Sequence, residues 1–268
     1  MTAGQFYDYD TNSLSLNSPK KDAQPNRREI LNSFFDVLTT TESVNWAINL
    51  IHSGDRGYIC TVNVAILMMM RSNPRLQNFV DRAALIVADG QPIVWASRLL
   101  SQPLPERVSG VDLIDGIAKK STEEDLKIYL LGAKSKVIET AVSKLRKKYP
   151  GVNICGYNNG YFSKEEVPQR VAAIRESGAH ILFIGMGVPL QEFFLDDNWP
   201  QLGVNLAVGV GGSFEIFAGT KKRAPVWMQN TGLEWFYRLL QEPRRLWKRY
   251  CITNGQFIYE LFKAMIFR

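Results

Sequence analysis

Six short apolar runs, each closed by Gly, Asp or Asn and separated from the next by a helix-length stretch, constrain this chain more than any other feature of its sequence. They are YICTVN, ALIVAD, KIYLLGA, VNICGYN, HILFIGM and VNLAVGV. Near-continuous apolar runs belong to strands covered on both faces, as in a parallel sheet, whereas strands with one wet face alternate apolar and polar residues. Between them, KSKVIETAVSKLRKKYP and SKEEVPQRVAAIRESG carry apolar residues at helical spacing. Upstream, TTTESVNWAINLIHSG adds Thr caps and a Gly stop. This alternation predicts an α/β fold, a mainly parallel Rossmann-like sheet with helices on both faces. No repeat recurs at a fixed period.

Two segments fall outside the pattern. Residues 1–26, rich in Asn, Ser, Asp, Pro and Lys, read as a mobile head. Residues 221–268 hold ten Lys and Arg against Glu234, Glu242 and Glu260, a net of +7; the whole chain is +6, so the other 220 residues sum to −1. Residues 27–220 are therefore read as the α/β body and 221–268 as a helical, basic and aromatic appendage. Pro243 suits the first turn of a helix there, with Leu246, Trp247, Tyr250, Cys251 and Asn254 as its mostly apolar stripe. A positive field gathered at one end favours an anionic partner: a phosphorylated ligand, nucleic acid or an acidic membrane surface. Trp235, Phe236, Trp247 and Tyr250 suit a membrane interface. No uninterrupted apolar stretch of about 18 residues occurs, so membrane contact is expected to be peripheral. Cys60, Cys155 and Cys251 form no paired motif, which fits a reducing cytoplasm.

In open α/β sheets ligands bind at the carboxyl ends of the strands. Thr61 and Asn63 close one run and Asp89 and Gly90 another. A carboxylate directly after a buried strand loses solvation, and a raised pKa suits a general base. The alternative reading of Asp89 is an N-cap for a helix starting near Gln91. Three glycine loops, LGAKS with Gly132 and Ala133, GMGVPLQE with Gly185 and Gly187, and GVGGSFE with Gly209 and Gly211, lie between strand and helix, where backbone NH groups can hold phosphate. Tight turns need glycine without any ligand, and Phe214 occupies the third glycine position of a dinucleotide fingerprint. His52 and His180 stand alone, and the single DxD, Asp8 to Asp10, lies in the head. No metal site and no cofactor are expected; Arg or Lys would have to meet a leaving diphosphate.

TVN at 61–63, ADGQPIVW at 88–95, PERVSGVDL at 105–113, GMGVPLQE at 185–192, GVGGSFEIFAG at 209–219 and KRAPVWMQNTGLEWFYRLLQEPRRLWKRY at 222–250 together resemble the WecG/TagA/CpsF glycosyltransferase family. The resemblance runs from about residue 28 to 255. It implies inverting, metal-independent transfer of a sugar from a UDP-sugar donor to an undecaprenyl-diphosphate-linked sugar, as in surface polysaccharide or teichoic acid synthesis. It also implies that Thr61, Asn63, Asp89, Arg107 and Gln191 line the cleft, with Asp89 as base. Leu190 stands where the family often has Lys, Glu215 where Asp is usual, and Pro92 follows a minority variant. These departures sit near the donor sugar and leave N-acetylmannosamine, its uronic acid and glucose open. Arg238, Arg245 and Arg249 are the appendage cations expected over the diphosphate, while the rest of the appendage meets anionic lipid. A homo-oligomer is left open. Two other classes compete: a basic nucleic-acid-binding protein, for which a strand-end Asp89 would have no task, and a membrane-tethered structural protein without activity.

Overall fold

The computed structural model describes residues 25–267. Residues 1–24 of the head, with Asp8 and Asp10, lie outside the described residues, as do the side chains of Arg245 and Arg249.

All six apolar runs are strands of one sheet. β3 (Gly57–Val62), β4 (Leu85–Ala88), β5 (Lys127–Gly132), β6 (Asn153–Asn158), β7 (Ile181–Gly185) and β8 (Leu206–Gly209) pair in the order β4-β3-β8-β7-β5-β6, every pair parallel. Successive side chains of a strand point to opposite faces, and the sheet sorts its residues that way. Tyr58, Cys60 and Val62 join one core layer with Leu182 and Ile184, while Ile59 joins the other with Ile181 and Phe183. Helices close both faces, which is why these strands read as unbroken apolar runs.

The helices follow their local signals. α1 (Thr40–His52) starts at a capping box in which the Thr39 hydroxyl accepts from Glu42 NH and the Glu42 carboxylate accepts from Thr39 NH. α2 (Val64–Arg71) and α3 (Pro74–Asp81) start at Asn63 and Asn73, whose side chains accept from Ile66 NH and Leu76 NH. α6 (Ser135–Lys148) and α7 (Val167–Glu176) occupy the two helix-length stretches read from the sequence.

One element carries no such signal. β1 (Arg27–Ile30) and β2 (Ser33–Asp36) form a small antiparallel hairpin against the β4 side of the sheet. Asp36 is its anchor: the buried carboxylate accepts from Arg27 Nε at 2.8 Å and from Ile86 NH at 2.7 Å. Burial pushes the Asp36 pKa up despite the opposing Arg27 charge.

The appendage lies on the body. α10 (Val226–Asn230), α11 (Glu234–Gln241) and α12 (Pro243–Ile266) follow one another, and α12 packs on α2, with Arg71 and Glu260 paired at 3.0 Å. Phe257 is buried in the same core layer as Tyr58 and Ile66. The stripe expected on α12 splits in two. Leu246, Tyr250 and Asn254 turn inward toward the body with Phe257, whereas Trp247 and Cys251 are exposed. The observed inward spacing of four, four and three residues follows one helix face; Trp247 and Cys251, each one residue further on, are rotated away from it.

Candidate active site

The carboxyl ends of β3, β4, β5, β7 and β8 open into one cleft of about 740 Å³, closed from above by α11 and α12. In the β3–β4 register Val62 faces Ala88, so the next residues, Asn63 and Asp89, leave the sheet side by side. Asp89 NH donates to Val62 O at 2.8 Å, and Val108 NH donates to Ala88 O at 2.9 Å, which brings Arg107 over the end of β4. Gly90, not Asp89, holds the N-cap position of α4 (Gln91–Leu99), and no side chain caps that helix. The N-cap reading of Asp89 therefore fails, and its carboxylate belongs to the cleft.

Asp89 is half-buried and lines the cleft. Burial pushes its pKa up; Arg238 and Arg107 pull it back in part, Asp112 raises it and Arg223 lowers it. These charges form a network between body and appendage. Arg107, only 12% exposed, donates to Glu234 of α11 through Nη1 and to Gln229 of α10 through Nη2 at 3.2 Å. Glu234, 14% exposed, also pairs with Arg238 one turn along α11 at 3.4 Å. Below them Arg223 grips Asp112 with two bonds of 2.7 Å. Burial alone would raise the Asp112 pKa, but the bonds from Arg223 and Ser109 hold it below the ordinary carboxylate value. Burial lowers the Arg107 pKa, with Asp89 opposing.

The remaining wall is polar and tightly built. The buried Thr61 hydroxyl donates to Gly209 O at 2.8 Å, tying β3 to β8 at the cleft floor. Asn63, whose Oδ1 accepts from Ile66 NH, also lines the wall. Gln191, in the first turn of α8 (Leu190–Leu202), accepts from Gly211 NH at 3.2 Å and donates to Glu192 at 2.8 Å, which clamps the loop after β8.

Thr61, Asn63, Asp89, Arg107, Ala133, Gly185, Gly187, Gln191, Gly211 and Arg238, all expected at the site, line this one cleft. Gly132 and Gly209 do not; both glycines serve packing. Gly132 has φ +150°, and a Cβ there would stand 2.4 Å from Gly185 O; at Gly209 it would meet Gln191 Nε2 at 2.9 Å. The sequence reading missed Glu234 and Gln229, the partners of Arg107. It also missed the Gly232 turn, φ +66°, which receives the Trp95 ring where a Cβ would come within 2.5 Å. Glu234 had a usable signal, its i,i+4 spacing to Arg238. Among the described residues no three His, Cys, Asp or Glu side chains gather as metal ligands.

Two known proteins resemble the chain over most of its length. N-acetylglucosaminyldiphosphoundecaprenol N-acetyl-β-D-mannosaminyltransferase of Bacillus spizizenii is 34% identical over 220 residues, 82% of this chain and 81% of the relative. The protein of the same name from Staphylococcus aureus is 34% identical over 209 residues, 77% of this chain and 80% of its own. The model of the glycosyl transferase WecG/TagA/CpsF family matches residues 28–268, from the first strand through the whole appendage, and the chain belongs to that family of glycosyltransferases.

Proposed function

We propose that the enzyme transfers N-acetylmannosamine from its UDP derivative to N-acetylglucosaminyl-diphospho-undecaprenol, with inversion, in the synthesis of a cell-surface polymer. The names of the relatives supply the acceptor and the transferred sugar; the UDP carrier is what the family resemblance implies. The observation that carries the chemistry is Asp89, a strand-end carboxylate with raised pKa, set in one cleft with Arg107 and Arg238. Asp89 takes the proton of the acceptor hydroxyl as that oxygen bonds to the anomeric carbon. The bond from that carbon to the UDP oxygen breaks on the opposite side, and UDP leaves with the electron pair. Among the described residues Arg107, Arg238, Lys221 and Lys222 are the cations that line the cleft and can meet the diphosphate, and fixed cations at developing charge lower the barrier.

The test is purified protein with a panel of UDP-sugars and a lipid-diphosphate-linked N-acetylglucosamine, product being detected by mass. N-acetylmannosamine is the sugar expected to transfer; exclusive transfer of glucose or the uronic acid would overturn the donor. The same rate is expected with and without EDTA. Activity lost to EDTA and restored by Mg²⁺ or Mn²⁺ would replace the cation-only leaving-group step.

Membrane contact is proposed to be peripheral. Among the described residues no helix is long and apolar enough to cross a membrane. Trp227, Leu240, Trp247 and Phe262 are exposed on the appendage, whose basic residues suit anionic headgroups at about 1 kcal/mol each. Sedimentation with anionic vesicles but not with neutral ones is the expected result, weakened by Trp247→Ala. Equal recovery with both vesicle types would remove the electrostatic part.

A further inference from the structure

The cleft that holds Asp89 extends along α12. α12 lines it with one face from Leu246 to Leu261, a run of about 22 Å at 1.5 Å per residue. Its two ends differ in chemistry. At the start of α12, Lys222 NH donates to Gln241 at 3.1 Å and Lys221 pairs with Glu242 at 3.0 Å, so the cleft lysines are knitted to this end. At the other end α12 presents Phe257, Ile258 and Leu261 to the cleft, and Trp95 and Leu99 of α4 add apolar lining to it. Leu99 is 57% and Ile258 53% exposed, although both face a cavity and α12 is already docked on α2. Apolar side chains left open beside a catalytic cleft are uncovered area that an apolar ligand gains by burying.

We infer that this apolar end is a binding subsite for the first isoprenoid units of the acceptor's polyprenyl chain, so that the protein, and not only the bilayer, holds the lipid during transfer. The inference rests on the acceptor class assigned above. An amphiphile with an anionic head and a hydrocarbon tail matches the order of the cleft: cations at one end, Asp89 among them, apolar residues at the other.

The test uses the full chain in vesicle-free solution with two acceptors of identical sugar-diphosphate head, one carrying a single isoprenoid unit and one carrying several, each below its aggregation concentration. The longer acceptor is expected to have a kcat/KM at least about tenfold higher, equivalent to ~1.4 kcal/mol. Leu99→Gln and Ile258→Gln, both at exposed positions and so tolerable to the fold, are expected to move that ratio toward one. Phe267→Gln, exposed but away from the cleft, controls for a general loss of apolar surface and should leave the ratio high. A wild-type ratio near one overturns the subsite and leaves the chain to the membrane, as does a high ratio that neither cleft variant lowers. Transfer to neither acceptor by protein that still binds UDP overturns the acceptor class, and the subsite with it.

Discussion

Asp89→Asn is expected to lower turnover roughly 10²- to 10⁴-fold, the usual span for loss of a general base, while UDP affinity changes little. Asn keeps the shape at the end of β4 and removes the proton acceptor. Burial pushes the Asp89 pKa above 3.8, and Arg238 and Arg107 offset this only in part, which gives two further readouts. The base works ionised, so kcat should fall as pH drops through a value above the ordinary one for an Asp, and this limb should vanish in the variant. Linkage gives the second: a raised folded pKa contributes stability below the unfolded value of 3.8 and loses it as pH rises through the folded value. Near neutral pH the ionised Asp89 therefore costs stability, and Asn should unfold at a higher temperature than wild type even as it loses activity. Near-normal turnover would remove Asp89 from the base role. A lower melting temperature would mean that the guanidinium groups around it need its charge more than burial penalises it.

The sheet was legible because burial on both faces writes itself as unbroken apolar runs, and all six runs became strands. The hairpin Arg27–Asp36 was not, because each strand has four residues and its stability comes from a distant partner, Ile86 NH on Asp36. At the site, residues fixed by the sheet were found from its topology: Thr61, Asn63 and Asp89 follow from where β3 and β4 end. Gly132 and Gly209 stand outside the cleft lining because a crowded strand end demands the same residue as a phosphate loop, and the 2.4 Å and 2.9 Å approaches show the crowding. The α12 stripe failed for a related reason. Hydropathy groups Trp247 and Cys251 with Leu246, while the helix rotation that turns Asn254 inward and Trp247 outward is set by packing on α2. What local sequence could not convey was long-range pairing: Arg107 and Glu234 stand 127 residues apart.

That pairing makes Glu234→Ala the second large effect. Arg107 belongs to the body and Arg238 to the appendage, and Glu234 is the anion that holds both guanidinium groups at the cleft beside Asp89. Its loss would leave Arg107, already desolvated, with Gln229, the nearby charge of Asp89 and a 3.8 Å approach to Asp112. Removing one member of a largely buried ion pair costs about 3 kcal/mol or more. If α11 leaving the body is what relieves that cost, a change of ~3 kcal/mol raises the undocked fraction by roughly 100-fold. Turnover should then fall by more than about tenfold, the step that 1.4 kcal/mol makes, and trypsin should cut faster at Lys221–Arg223, where the appendage begins. Glu234→Gln keeps an oxygen for Arg107 without the charge and should lie between alanine and wild type on both measures. A purely structural pairing would predict something else: faster proteolysis with kcat unchanged in the molecules that stay docked, the loss confined to active-enzyme concentration. Titrating active sites with a tight donor analogue separates these cases, and full turnover per occupied site in Glu234→Ala would show that Glu234 holds the appendage in place without positioning Arg107 and Arg238 for the leaving diphosphate.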